Sequence, residues 1–260
     1  MTTLAVHSGQ LTLRSLRALW RQPAFVLVTL VQPVIWLFLF GQLFSQVVEI
    51  PGFGVEGQSY LEFLTPGVVM MTALLSAAWA GTVYIEDMER GVMDRLLASP
   101  VRRGAMMNGT LAYQSVVTLV QTAIILVLAV LAGARFPGGL PGLGLTLVSA
   151  VLLTIVFAAL SNAVALLVRQ QEALIGISQI LSLPLAFLSS AVMDLELAPE
   201  WIRTVATYNP MDWAVVTSRE ALSGAPDWAV VAPRLGALAA LALVMGWLAT
   251  RAFAAYQRSS

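Results

Sequence analysis

Four carboxylates and four guanidinium groups fall between Glu86 and Arg103, in the stretch YIEDMERGVMDRLLASPVRRG (84–104). Such a cluster admits two kinds of chemistry. Glu86, Asp87 and Glu89 are close enough in sequence to form a carboxylate cluster for metal-dependent lipid transfer at a membrane surface. Alternatively, carboxylates and guanidiniums of balanced charge can seat one protein on another through charge-assisted hydrogen bonds. Other reactive types are scarce. The chain has no cysteine, which closes disulfide, thiolate and cysteine–metal chemistry. Its one histidine, His7, sits in a polar N-terminal tail. All fourteen basic residues are arginine. A P-loop places a lysine on the nucleotide phosphates, so an ATPase of that class is not expected in this chain.

The elements that must position the cluster are apolar. The 260 residues are 58% hydrophobic and 11% charged, with a mean hydropathy of +0.83. Soluble domains average about 25% charged residues, so the composition points to an all-α, polytopic membrane protein. About 20 apolar residues cross a bilayer as a helix. Six stretches qualify, at about 24–45, 65–85, 105–132, 142–168, 173–193 and 229–250, within a single transmembrane domain, 1–260. The formal net charge is zero, and nothing points to a nucleic-acid partner.

Arginine placement orients the chain. With the N-terminus inside, ten arginines face the cytoplasm and four (Arg135, Arg203, Arg219 and Arg234) face outward. That is the positive-inside bias, and both termini are expected to be cytoplasmic. No small-residue cleavage site follows a short apolar stretch, so the N-terminus is expected to be retained. Before the first span, residues 11–22 form an amphipathic helix in which Arg14, Arg17 and Arg21 share a face and Trp20 lies on the other. Such a helix can lie among lipid headgroups, either as a simple anchor or with a mechanical role. Beyond the fifth span, residues 198–222 are too polar to cross unaided. Asn209 suits an N-cap and Pro210 the first helical position, so short helices are expected at the outer surface. Whether this pair gates an outer mouth or only starts a helix stays open at this level.

Between spans two and three, residues 89–99 read as a short amphipathic helix. Met88, Val92 and Leu96 recur at helical spacing, Leu97 lies beside them, and Arg90 and Asp94 form an i, i+4 pair. Ser99-Pro100 supplies the stop. A solvated loop obeying the positive-inside rule would hold arginines too. Here Glu86, Asp87, Glu89 and Asp94 cancel Arg90, Arg95, Arg102 and Arg103, which a topology signal does not need. Balanced charge on one face and aliphatic groups on the other favour docking.

The residues then resemble a known family. GVMDRLLASPVRRG (91–104) is similar to the Gly-x-x-Glu-Arg-Leu-Leu-x-Ser-Pro signature of type-2 ABC export permeases, with Asp94 where glutamate is usual. YLEFLTPGVV (60–69) resembles that family's Tyr-x-x-Phe-x-x-Pro-Gly opening of span two, and YNPMDWAV (208–215) its Asn-Pro element. The resemblance implies a six-helix subunit of a bacterial plasma-membrane exporter, multi-pass and dimeric. It implies a cytoplasmic ABC ATPase partner carrying Mg-ATP, and no cofactor or metal in this chain. It also implies that the loop of Glu86, Glu89, Arg90, Gly91, Asp94, Arg95, Leu96, Leu97, Ser99 and Pro100 is the coupling helix, and that the basic helix before span one is interfacial.

Energetics agree. Ion-driven carriers keep ionisable relays inside the membrane, and spans one to five show none between their ends. The substrate is expected to be a small hydrophobic or amphipathic molecule such as a drug, lipid or lipid-linked glycan. Gln32, Gln42 and Gln179 are candidates for its path, although glutamines also bond helix to helix. The alternatives are a non-transporting scaffold and an intramembrane lipid-modifying enzyme using Glu86, Asp87 and Glu89.

Overall fold

The computed structural model describes residues 9–10, 12–13, 23–44, 46, 59–93, 95 and 103–259. Among them every regular element is helical. Pro23–Ile35 continues through a π-helical stretch, Trp36–Phe40, into Gly41–Leu43, and together these form α1. There follow Tyr60–Ala78 (α2), Thr82–Glu89 (α3), Arg103–Leu131 (α4), Gly139–Val168 (α5) and Gln171–Phe187 (α6). A 3-10 turn, Leu195–Leu197, leads to Glu200–Thr207 (α7), Pro210–Ser223 (α8) and Trp228–Ser259 (α9). Among the described residues four stretches are long and apolar enough to cross a membrane: Tyr60–Glu89, Gly104–Leu131, Gly139–Val168 and Trp228–Phe253. Thr29–Leu43 and Gln171–Phe187 are apolar but shorter. The four overlap the second, third, fourth and sixth expected spans, and the two shorter helices overlap the first and fifth.

α5 is the central post. It is apolar on all sides, as a helix surrounded by others must be, and it packs against α2, α4, α8 and α9. Hydroxyls add directional contacts where lipid gives no hydrophobic drive between helices. Thr118 of α4 and Thr154 of α5 meet at 2.8 Å, both fully buried.

α2 begins earlier than hydropathy alone predicts, at Tyr60 rather than near residue 65, because Ser59 and Glu62 form a capping box. The second carboxylate oxygen of Glu62 accepts the Arg135 N–H at 2.7 Å, pinning the α4–α5 connection to the start of α2. α6 ends at Phe187, short of residue 193, because its last carbonyls have partners elsewhere. Asn209 Nδ2 donates to the Leu185 and Leu188 carbonyls at 2.7 and 2.8 Å. The same side chain caps α8, its oxygen accepting from Met211 N at 2.9 Å. α8 runs alongside the start of α5, with Ser218 bonded to Thr146 at 2.9 Å, and buries Met211, Asp212, Ala214, Val215, Ala221 and Leu222.

The expected helix over 89–99 does not begin at Glu89. α3 carries the second span to Glu89, Arg90 caps it, and Gly91 turns the chain at φ 65°, a conformation glycine adopts without strain. Helical geometry resumes at Val92 and Met93. Arg90 pairs back to Glu86 at 3.4 Å. Asp94, Leu96, Leu97, Ser99 and Pro100, and likewise Arg14, Arg17, Trp20 and Arg21, lie outside the described residues.

Candidate functional site

A cavity of about 770 Å³ lies between α1, α2, α3, α4 and α6. Helical spacing places its walls. α1 contributes Thr29, Gln32, Pro33 and Trp36, at i, i+3, i+4 and i+7, and α4 contributes Tyr113, Gln114, Val117 and Gln121 on one face. α2 supplies Val68, Met71, Thr72, Leu75, Ser76 and Trp79; α6 supplies Gln171, Gln179 and Leu183. Its size falls in the range of small-molecule sites, about 300–1,000 Å³, and its mix of apolar wall and few polar groups is what such sites use.

Two amides are fixed by neighbouring helices. Gln114 Nε2 donates to Ser76 Oγ on α2 at 2.8 Å, and Gln121 Nε2 to Thr29 Oγ1 on α1 at 3.3 Å. These bonds stitch α4 to α2 and to α1.

The second span is interrupted beside the cavity. Between α2 and α3 the backbone ladder tightens to i→i−3: Ala80 N donates to Ala77 O and Thr82 N to Trp79 O, both at 3.1 Å. Helix breaks in a membrane persist only where other groups satisfy the freed backbone. Here Ala78 O accepts from Ser161 Oγ of α5 at 2.6 Å and Ser178 Oγ of α6 at 2.8 Å. The Gly81 N–H donates to the same Ser161 Oγ at 3.0 Å. Gly81 is required by contact: a Cβ there would stand 2.4 Å from the Ser161 carbonyl oxygen. Trp79, Ala80, Thr82, Val83 and Glu86, on and below the break, all line the cavity. The wall therefore contains the break that separates α2 from the charged segment.

At the opposite end of α2 the structure gathers charges that sequence reading left apart. Arg219 donates to the Ser190 carbonyl at 2.8 Å and the Phe63 carbonyl at 3.3 Å, and its guanidinium lies 3.8 Å above the Phe63 ring. Asp212 accepts the Ser190 N–H at 2.8 Å. One backbone unit is thus held from both sides by α8.

Of the three glutamines expected on a path, Gln32 and Gln179 line this one cavity and Gln42 does not. Gln42 lies beyond the π-helical stretch Trp36–Phe40, which shifts the face it presents, and is exposed near the end of α1. Gln114 and Gln121 emerge as wall residues in addition; their seven-residue spacing on one helix face was the available signal. Glu86 reaches the cavity, whereas Glu89, Arg90 and Arg95 are exposed. Asn209 and Pro210 sit at the α6–α8 junction rather than on the cavity. Among the described residues no three acidic or histidine side chains are arranged to hold a metal ion, so Glu86, Asp87 and Glu89 do not converge as a metal centre.

The family described as "ABC-2 type transporter" matches residues 8–222. The chain belongs to that family. Among relatives, it is 29% identical over 215 residues to the "Daunorubicin resistance ABC transporter permease protein DrrB1" of Streptomyces coeruleorubidus, covering 81% of this chain and 73% of the relative. It is 28% identical over 214 residues to a "Putative transport permease ycf38" of Porphyra purpurea, covering 80% and 71%. It is 27% identical over 240 residues to "Nodulation protein J" of Rhizobium meliloti (strain 1021), covering 89% and 87%. The chain is accordingly a multi-pass membrane permease of the ABC-2 type, a transport component, as its motifs at 60–69, 91–104 and 208–215 imply.

Proposed function

We propose that this permease carries a small hydrophobic or amphipathic molecule through the glutamine-lined cavity, driven by a separate cytoplasmic ABC ATPase. The observation that carries the reading is the interrupted second span: its lower piece, α3, forms part of the cavity wall and leads directly into the charged segment. An ATPase with Mg-ATP bound, docked on residues 89–99, pushes that segment. Thr82–Glu89 then swings about residues 79–81 and changes the width of the cavity between α3 and α6. Asp94 and Arg95 are the contacts to the ATPase, and Arg14, Arg17, Trp20 and Arg21 hold the N-terminal helix among lipid headgroups. Asn209 and Pro210 hold the outer end closed through α6. Two copies of the chain form the working unit in a bacterial inner membrane, with both termini cytoplasmic. The daunorubicin-resistance name of one of those relatives favours export of an amphipathic compound.

The test is export by the chain with its ATPase in cells. Ser76→Trp, which fills the cavity, stops export while ATPase assembly survives; reversing Asp94 and Arg95 together loses both. Export unaffected by Ser76→Trp would remove the cavity from the path, and assembly unaffected by the charge reversal would remove the docking site.

A further inference from the structure

Gln121 is 3% exposed, yet its side-chain oxygen is buried with no hydrogen-bond partner among the described residues. An acceptor shut away from water without a donor costs free energy comparable to a lost hydrogen bond, and such orphans in folded proteins call for an explanation. Its nitrogen donates to Thr29 Oγ1 at 3.3 Å, so in this structure the oxygen is the end left over. Gln114, seven residues earlier on the same face, is tethered in the same sense, nitrogen to Ser76 Oγ. Both therefore offer carbonyl oxygens, roughly 10 Å apart along α4 at 1.5 Å per residue. The terminal torsion of glutamine is broad, so a small rotation brings the Gln121 oxygen to a guest in the cavity that its side chain already lines.

We infer that Gln121 is a specificity-determining residue of the cavity: its oxygen accepts a hydrogen bond from an N–H or O–H group of the bound molecule, selecting donor-bearing amphiphiles over their alkylated counterparts. The inference rests on the reading of the cavity as the substrate site. A guest that supplies the donor relieves the orphaned acceptor. One that is methylated at that point leaves it unpaired, and sites built around a polar group reject analogues lacking the partner more strongly than they sense an extra methylene.

The experiment uses the full chain in lipid nanodiscs and fluorescence anisotropy with two probes of one scaffold. Rhodamine 123 carries N–H donors on its xanthylium core; tetramethylrhodamine methyl ester has the same core with each N–H methylated. The quantity read is the affinity ratio of the two probes in the wild type divided by that ratio in Gln121→Leu, which cancels their different partition into lipid. The expected value is about tenfold in favour of rhodamine 123, equivalent to about 1.4 kcal/mol, with the methylated probe bound equally by both proteins. Thr29→Val, which releases the nitrogen tether but keeps Gln121, gives an intermediate ratio and serves if Gln121→Leu fails to fold. A quotient of one, or a Thr29→Val ratio equal to the wild type, overturns the assignment of Gln121 alone. Binding of neither probe by the wild type overturns the cavity as a ligand site and this inference with it.

Discussion

Replacing the two serines that satisfy the break in the second span gives a pattern of losses that only this arrangement produces. Ser178→Ala removes one of two donors to the Ala78 carbonyl, which keeps its 2.6 Å bond from Ser161. Interhelical hydrogen bonds in membranes average about 0.6 kcal/mol, so Ser178→Ala is expected to cost about that much. Ser161→Ala removes a donor and, in addition, leaves the Gly81 N–H without its acceptor. A buried orphan donor costs about 1–3 kcal/mol, so this variant is expected to lose about 2 kcal/mol. In the double variant the Ala78 carbonyl loses both donors and becomes an orphan as well. The double loss is therefore expected to exceed the sum of the singles by about 1 kcal/mol, the size of coupling seen between residues sharing a partner. Equilibrium unfolding of the purified chain in mixed micelles, followed by far-UV circular dichroism, measures all three. Strict additivity, or a Ser178→Ala loss equal to that of Ser161→Ala, would refute the shared-carbonyl account.

Other substitutions separate roles that share one side chain. Asn209→Asp keeps the α8 cap but turns a buried carboxylate oxygen onto the Leu185 and Leu188 carbonyls, whereas Asn209→Ala loses the cap and both bonds without that repulsion; a cap is worth about 1 kcal/mol and an unpaired buried charge costs more, so thermal unfolding should rank wild type above Ala and Ala above Asp. Asp212→Leu deprives the Ser190 N–H of its acceptor and takes one of the carboxylates near Arg219, leaving Asp194 and Glu220, and is expected to lower stability by about 2 kcal/mol, the cost of a buried orphan donor. Glu86→Gln removes an exposed pair with Arg90; such pairs contribute about 0–1 kcal/mol, so unfolding should barely shift, and any loss of transport in that variant reports on the cavity mouth.

Hydropathy made the six apolar helices and the all-α class legible, because membrane spans are set by long runs that no tertiary contact need supply. The start of α2 carried a signal that hydropathy alone does not use: Ser59-x-x-Glu62 before an apolar run is a capping signature. Asn209-Pro210 announced α8 directly. The break at residues 79–81 was not legible. No proline marks it, and the hydroxyls that sustain it come from Ser161 and Ser178, 83 and 100 residues beyond Ala78. The cap at Ser190 was hidden for a similar reason: Asp212 and Arg219 meet a backbone unit, not each other's obvious partners in sequence. Among glutamines, type alone could not say which faces meet; the placement of α1 against α4 and α6 unites Gln32 and Gln179 and leaves Gln42 aside.

The claim that most needs testing is that α3 swings about the break and resizes the cavity when the ATPase works. The chain has no cysteine, so Val83→Cys and Gln171→Cys place one pair of spin labels in each copy, on α3 and α6, both on the cavity wall; dilution with unlabelled copies isolates the distance within one copy. Double electron–electron resonance on the assembled transporter, with and without a trapped ATP state, reads the distance between them. The account predicts a distinct distance in the trapped state, collapsing to the resting one in a transporter whose Asp94 and Arg95 are charge-reversed. A single unchanged distance in a transporter that hydrolyses ATP and exports its substrate would contradict it.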